Sequence, residues 1–110
     1  MANPTFQIFI GKDGQCRFRF IDSNGEIVLT SEGFSSADDC VVLIQQLQND
    51  PENKARYRKA TKSNDHYFNL CDATGELIGT SRVYSQENDR NNGIALVMHH
   101  CQSADLQDLT

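Results

Sequence analysis

The 110-residue chain has no tryptophan and only two prolines. None of its apolar runs approaches the ~20 residues that a membrane-spanning helix requires. A signal peptide is not expected either, because Met1–Ile10 carries no basic residue and its apolar part is short. A cytoplasmic setting follows, with Cys16, Cys40, Cys71 and Cys101 reduced. These cysteines form no C-x-x-C pair, so no metal and no cofactor are expected. Also missing are a glycine-rich phosphate loop, catalytic carboxylates in a diagnostic frame and a Ser-His-Asp pattern. Nothing therefore requires an enzyme, and no catalytic residue is assigned. The net charge of −5 favours solubility and argues against general attraction to nucleic acid or anionic membrane.

What the chain does have is a repeat. Residues 18–44 realign on 68–94 with a shift of 50, giving nine identities that include Phe18/Phe68, Asp22/Asp72, Gly25/Gly75, Glu26/Glu76, Thr30/Thr80 and Ser31/Ser81. Self-similarity at a fixed period marks one supersecondary unit used repeatedly. Each unit opens on alternation: Phe18 and Phe20 interleave with Arg17 and Arg19, and Phe68 and Leu70 hold the matching places. Asp22-Ser-Asn-Gly25 and Asp72-Ala-Thr-Gly75 then read as type I turns with glycine in a bulge. That register would place Phe20 opposite Val28 and Leu70 opposite Ile78.

The third strands should end near Gly33 and Val83, with Ser35 and Ser85 capping the helices that follow. Cys40, Leu43, Ile44 and Leu47 make one apolar stripe; Ile94, Val97, Met98 and Cys101 make the other. Asp50-Pro51 stops the first helix. Phe6, Ile8 and Ile10 alternate as a leading strand, and 54–62 takes the same place in the second unit. The expected fold class is α+β. Two tandem β(3)-α(-β) repeats, about 4–52 and 54–109 of a single domain spanning 1–110, would share one mostly antiparallel sheet with two helices on one face.

Asn24-Gly25-Glu26, Thr30-Ser31 and Phe34-Ser35, matched by Gly75-Glu76, Thr80-Ser81 and Tyr84-Ser85, resemble the YegP-like family of bacterial repeat domains. The resemblance covers almost the whole chain and implies C-terminal strands exchanged between units. On that basis 54–62 would partly serve the first unit, and 104–109 would supply a last short strand. Gly93-Ile94 keeps the family's Gly-Ile helix pair, where the first helix has Leu43-Ile44. The family's function is unknown, so the resemblance supplies architecture and no activity.

Three candidate sites remain. Glu26, Thr30, Ser31, Glu76, Thr80 and Ser81 could line pseudo-symmetric pockets for a small polar ligand or an enzymatic site; otherwise they serve strand ends and caps. Arg56, Tyr57, Arg58 and Lys59, with Lys54 and Lys62, could meet phosphates with Tyr57 stacking on a base. The preferred reading is a strand edge protected by charge. His99, His100 and Cys101 lack the spacing to converge on one metal ion. The favoured function is a small non-catalytic binding or protein-interaction module. Its partner would be another protein or a second copy of itself, and the chain itself a monomer or weak homodimer.

Overall fold

The computed structural model describes residues 3–110. In chain order they form β1 (Thr5–Ile10), β2 (Cys16–Ile21), β3 (Ile27–Ser31), α1 (Ala37–Asn49), β4 (Tyr57–Lys62), β5 (Asp65–Cys71), β6 (Leu77–Ser81), α2 (Glu87–His100) and β7 (Asp105–Asp108). Short 3-10 turns at Lys54–Arg56 and Cys101–Ser103 follow the helices. All seven strands join one sheet in the order β4-β5-β6-β3-β2-β1-β7, antiparallel except where β7 runs parallel to β1. The repeats meet at β3–β6. There Thr30 faces Thr80, Leu29 faces Ser81 and Ser31 faces Gly79, a pairing with two-fold pseudo-symmetry about the threonines.

The strand alternation settles which side the helices cover. Phe6, Ile8, Phe18, Phe20, Phe68 and Leu70 are buried, and with Ile44, Leu47, Ile94 and Val97 they form one core. Phe6 links two strands, its ring centroid 4.9 Å from Phe20 and 6.0 Å from Phe18. Each such side chain contributes roughly 1.5–3 kcal/mol on burial. The two stripes thus cover a single sheet face, as the sequence implied.

The turns close as expected. Gly25 (φ 83°) and Gly75 (φ 90°) are left-handed, and each donates its N–H to the aspartate carbonyl at 3.0 Å. Beyond the turns the register differs. Phe20 lies opposite Leu29 and Leu70 opposite Gly79, with a β-bulge in each hairpin that leaves Val28 and Ile78 as extra residues. The reason is burial: Val28 and Leu29 are both buried, and a bulge lets consecutive residues turn to one face.

The helix starts also move. Phe34 bridges Cys16 and Tyr84 bridges His66 through pairs of main-chain hydrogen bonds, which holds the chain on the sheet longer. Ser36 rather than Ser35 then caps α1, accepting from the Asp39 N–H, while Ser35 bonds the Asp39 carboxylate. Gln86 rather than Ser85 precedes α2, with no side-chain cap. β4 pairs with β5 and with no strand of the first unit, which it meets through the Tyr57 hydroxyl on the Pro51 carbonyl and the Tyr57 ring in the shared core. The exchange of C-terminal strands is present at β7, which leaves the second repeat to pair with β1 of the first.

Candidate functional site

Each aspartate of the repeated turns organises its own loop. Asp22 Oδ1 accepts the N–H groups of Asn24 and Glu26 at 2.9 Å, and Asp72 Oδ1 accepts those of Thr74 and Glu76. The Thr74 hydroxyl adds a third bond to Asp72 and is the largest cause holding that carboxyl below its ordinary range. These turns deliver Glu26 and Glu76 to matching places, but the two then meet different neighbours. Glu26 Oε2 pairs with Arg82 across the repeat boundary at 2.9 Å. The residue matching Arg82 in the first repeat is Glu32, which offers Glu76 no cation.

The Thr-Ser pairs divide between the sheet's two faces. Ser31 and Ser81 are buried, and their hydroxyls complete the ladder where the strands splay. Ser31 Oγ accepts the Phe18 N–H at 2.8 Å and donates to the Glu32 carbonyl at 2.8 Å. Ser81 does the same for Phe68 and Arg82. Thr30 and Thr80 face the helix-free side, where the Thr80 hydroxyl donates to Asn69 Oδ1 at 3.1 Å. The structure therefore brings the threonines together and turns the serines away. The six residues do not converge on one pocket.

The basic cluster divides as well. Arg56 is buried, and its Nε has no hydrogen-bond partner. Tyr57 is part of the core, its ring edge-on to Phe68 at 6.3 Å and its hydroxyl titration pushed up by burial. Only a small part of that ring reaches the surface, unlike the open aromatic face on which a base would stack. Arg58, Lys59, Lys54 and Lys62 are exposed along the outer margin of the sheet. On the helix-free face, other arginines are already engaged. Arg17 pairs with Asp13 at 2.8 Å, and Arg19 lies 4.3 Å over the Phe9 ring while bonding Gln7.

One concavity opens beside β4. Lys54, Tyr57 and Lys59 form one wall, and Asn91, Ile94, Ala95 and Met98 of α2 form the other. Sequence reasoning assigned no role to Asn91 or Ala95 and placed Met98 in the core stripe. The periodicity of α2 names an apolar face but not where that face overhangs the sheet margin. Arg90 of the same helix reaches the Ala60 carbonyl at 3.3 Å, which holds α2 against β4. Among the described residues no cluster of His, Cys, Asp and Glu could hold a metal ion.

The domain of unknown function DUF1508 matches this chain twice, over residues 12–57 and 62–108. The chain belongs to the YegP-like family. A UPF0339 protein of Acinetobacter baylyi is 39% identical over 106 residues, 96% of each chain. The UPF0339 protein YegP of Escherichia coli K12 is 35% identical over 106 residues, again 96% of each. The solution structure of yegP from E. coli, a protein of unknown function, matches with a TM-score of 0.89 and 33% identity, covering 100% of this chain and 96% of that one. A UPF0339 protein from Shewanella oneidensis gives a TM-score of 0.90 at 33% identity, with 99% and 93% covered. These YegP-like relatives carry no assigned activity in their names, so the reading of function rests on the geometry.

Proposed function

We propose that this YegP-like chain is a small non-catalytic cytoplasmic module that binds another polypeptide along the free edge of β4. One observation supports the reading above the others. His66 exchanges both main-chain hydrogen bonds with Tyr84, which turns Asp65, Tyr67 and Asn69 toward β4. Their partners Lys62, Ala60 and Arg58 point inward, so Lys59 and Thr61 direct N–H and C=O groups outward from the sheet. An edge of this kind can accept an added strand. The free thiols and the absence of a membrane-crossing helix among the described residues fit a cytoplasmic setting. The alternative, a polar ligand site at the duplicated residues, is weakened by the serines, whose hydroxyls are spent inside the ladder.

A random-sequence peptide library displayed on phage tests this proposal, screened against the whole chain and against Thr61→Pro. Proline at an outward edge position removes one donor while leaving the β4–β5 ladder intact. Peptides enriched by the parent chain and lost with Thr61→Pro are the expected result. No enrichment over background, or equal retention by both chains, refutes the proposal.

A further inference from the structure

The pseudo-symmetry of the sheet leaves one strand position filled on one side and vacant on the other. In the first repeat Phe6 pairs with Phe20 and Ile8 with Phe18; in the second, Tyr57 pairs with Leu70 and Lys59 with Phe68. Phe6 therefore corresponds to Tyr57 and Ile8 to Lys59. Outside β1, β7 runs parallel, with Leu106 beside Phe6 and Asp108 beside Ile8. It is held by the Asp105 N–H on the Pro4 carbonyl at 2.9 Å and the Leu109 N–H on the Ile8 carbonyl at 2.8 Å. Outside β4, no strand occupies the matching position among the described residues.

Charge selects what could lie there. Among the described residues the ion pairs are Arg17–Asp13 and Arg82–Glu26, so Lys54, Arg58, Lys59 and Lys62 have no carboxylate partner. This concentration of uncompensated cations lies on a chain of net charge −5. The cleft alongside adds an apolar wall at Ile94, Ala95 and Met98, and no carboxylate lines it. Lys59 and Thr61 point their side chains to the helix face and their main-chain groups outward. In a strand running parallel to β4, as β7 runs beside β1, the residue directly opposite Lys59 or Thr61, between the two that bond to it, would direct its side chain toward that cleft.

We infer that the vacant position beside β4 takes an acidic, extended segment of another protein, running parallel to β4 with an apolar side chain seated against Ile94 and Met98. The inference rests on β4 being the interaction edge and adds the chemistry and direction of the partner. β7 shows the pattern the sheet already accepts: Asp105-Leu106-Gln107-Asp108, an apolar residue between carboxylates.

The test is an NMR titration of the whole chain with the capped heptapeptide Ala-Asp-Leu-Gln-Asp-Leu-Thr, compared with a version carrying lysine for both aspartates. Expected are amide shifts at Lys59 and Thr61, methyl shifts at Ile94 and Met98, and loss of binding when the first leucine becomes serine. The lysine peptide, and the acidic peptide against Lys59→Glu with Lys62→Glu, should each bind about tenfold more weakly. Equal affinity for both peptides, or shifts confined to β1 and β7, overturns the inference. So does concentration-dependent self-association abolished by removing residues 104–110, which would assign the position to a second copy. Library peptides that bind the edge without acidic residues would refute this chemistry and leave the interaction reading standing. A library with no edge binder removes both.

Discussion

Replacing Ser31 with alanine separates a structural hydroxyl from a ligand-binding one. The hydroxyl is buried, accepts the Phe18 N–H at 2.8 Å and donates to the Glu32 carbonyl. Alanine would leave the Phe18 N–H without a partner under the helices, where an unsatisfied donor costs roughly 1–3 kcal/mol. A loss of about 2 kcal/mol is a large fraction of the ~5–15 kcal/mol typical of a domain this size. With a urea slope of about 1–3 kcal/mol/M, the midpoint of unfolding should fall by about 1 M at unchanged slope. Amide exchange at Phe18 should accelerate in the same variant. Ser81→Ala should behave alike, with the effect at Phe68, because the bond is duplicated at 2.9 Å. Thr30→Ala, on the helix-free face, should stay within about 0.5 kcal/mol. If Ser31→Ala costs less than ~0.5 kcal/mol and the Phe18 amide stays protected, the hydroxyl is not completing the ladder and the argument against a ligand role fails.

Two further outcomes follow from close packing at the seam and from the buried thiols. A Cβ at position 79 would sit 2.8 Å from the Thr30 carbonyl and 3.0 Å from Ser31 Cα, both main chain, so Gly79→Ala should destabilise by about 1–3 kcal/mol in a denaturant melt. An unchanged midpoint would mean that β3 and β6 do not approach so closely. Burial pushes the Cys40 thiol up to about 11, with Cys16 and Asp39 adding to the shift, and burial pushes Cys101 up to about 11 as well. At pH 8 a thiol reagent should modify half-buried Cys16 first and reach Cys40 and Cys101 only after unfolding. Because the fold favours the protonated thiols, their contribution to stability is full below the ordinary thiol range and declines as pH climbs toward 11. Rapid modification of all four cysteines in the folded chain would contradict this assignment.

The duplicated turn motif and the apolar periodicities determined most of the architecture. Asp22 and Asp72 bond within their own turns, Gly25 and Gly75 take left-handed backbone conformations, and Phe18, Phe20, Phe68 and Leu70 alternate as half-buried strands must. Such features depend on neighbours close in sequence, so the chain could display them without its fold. The bulges at Val28 and Ile78 needed knowledge of which residues were buried, and the helix starts needed the bridges from Phe34 and Tyr84 back to the sheet. Alternation alone offers no sign of either.

The candidate sites were legible as residue types and not as arrangements. Equal motifs at Thr30-Ser31 and Thr80-Ser81 suggested paired pockets. The pleat instead sends one member of each pair to solvent and the other into the core. The Lys-rich segment was expected to form a strand between the repeats, and β4 instead ends the sheet order. That Tyr57 is core, that Glu26 meets Arg82 and that α2 walls a cleft along β4 were decided by contacts between the repeats and across the helix–sheet layer. Local periodicity dictates which face of an element is apolar. Only the packed molecule dictates which edge remains open, because an edge is defined by the strand that does not arrive.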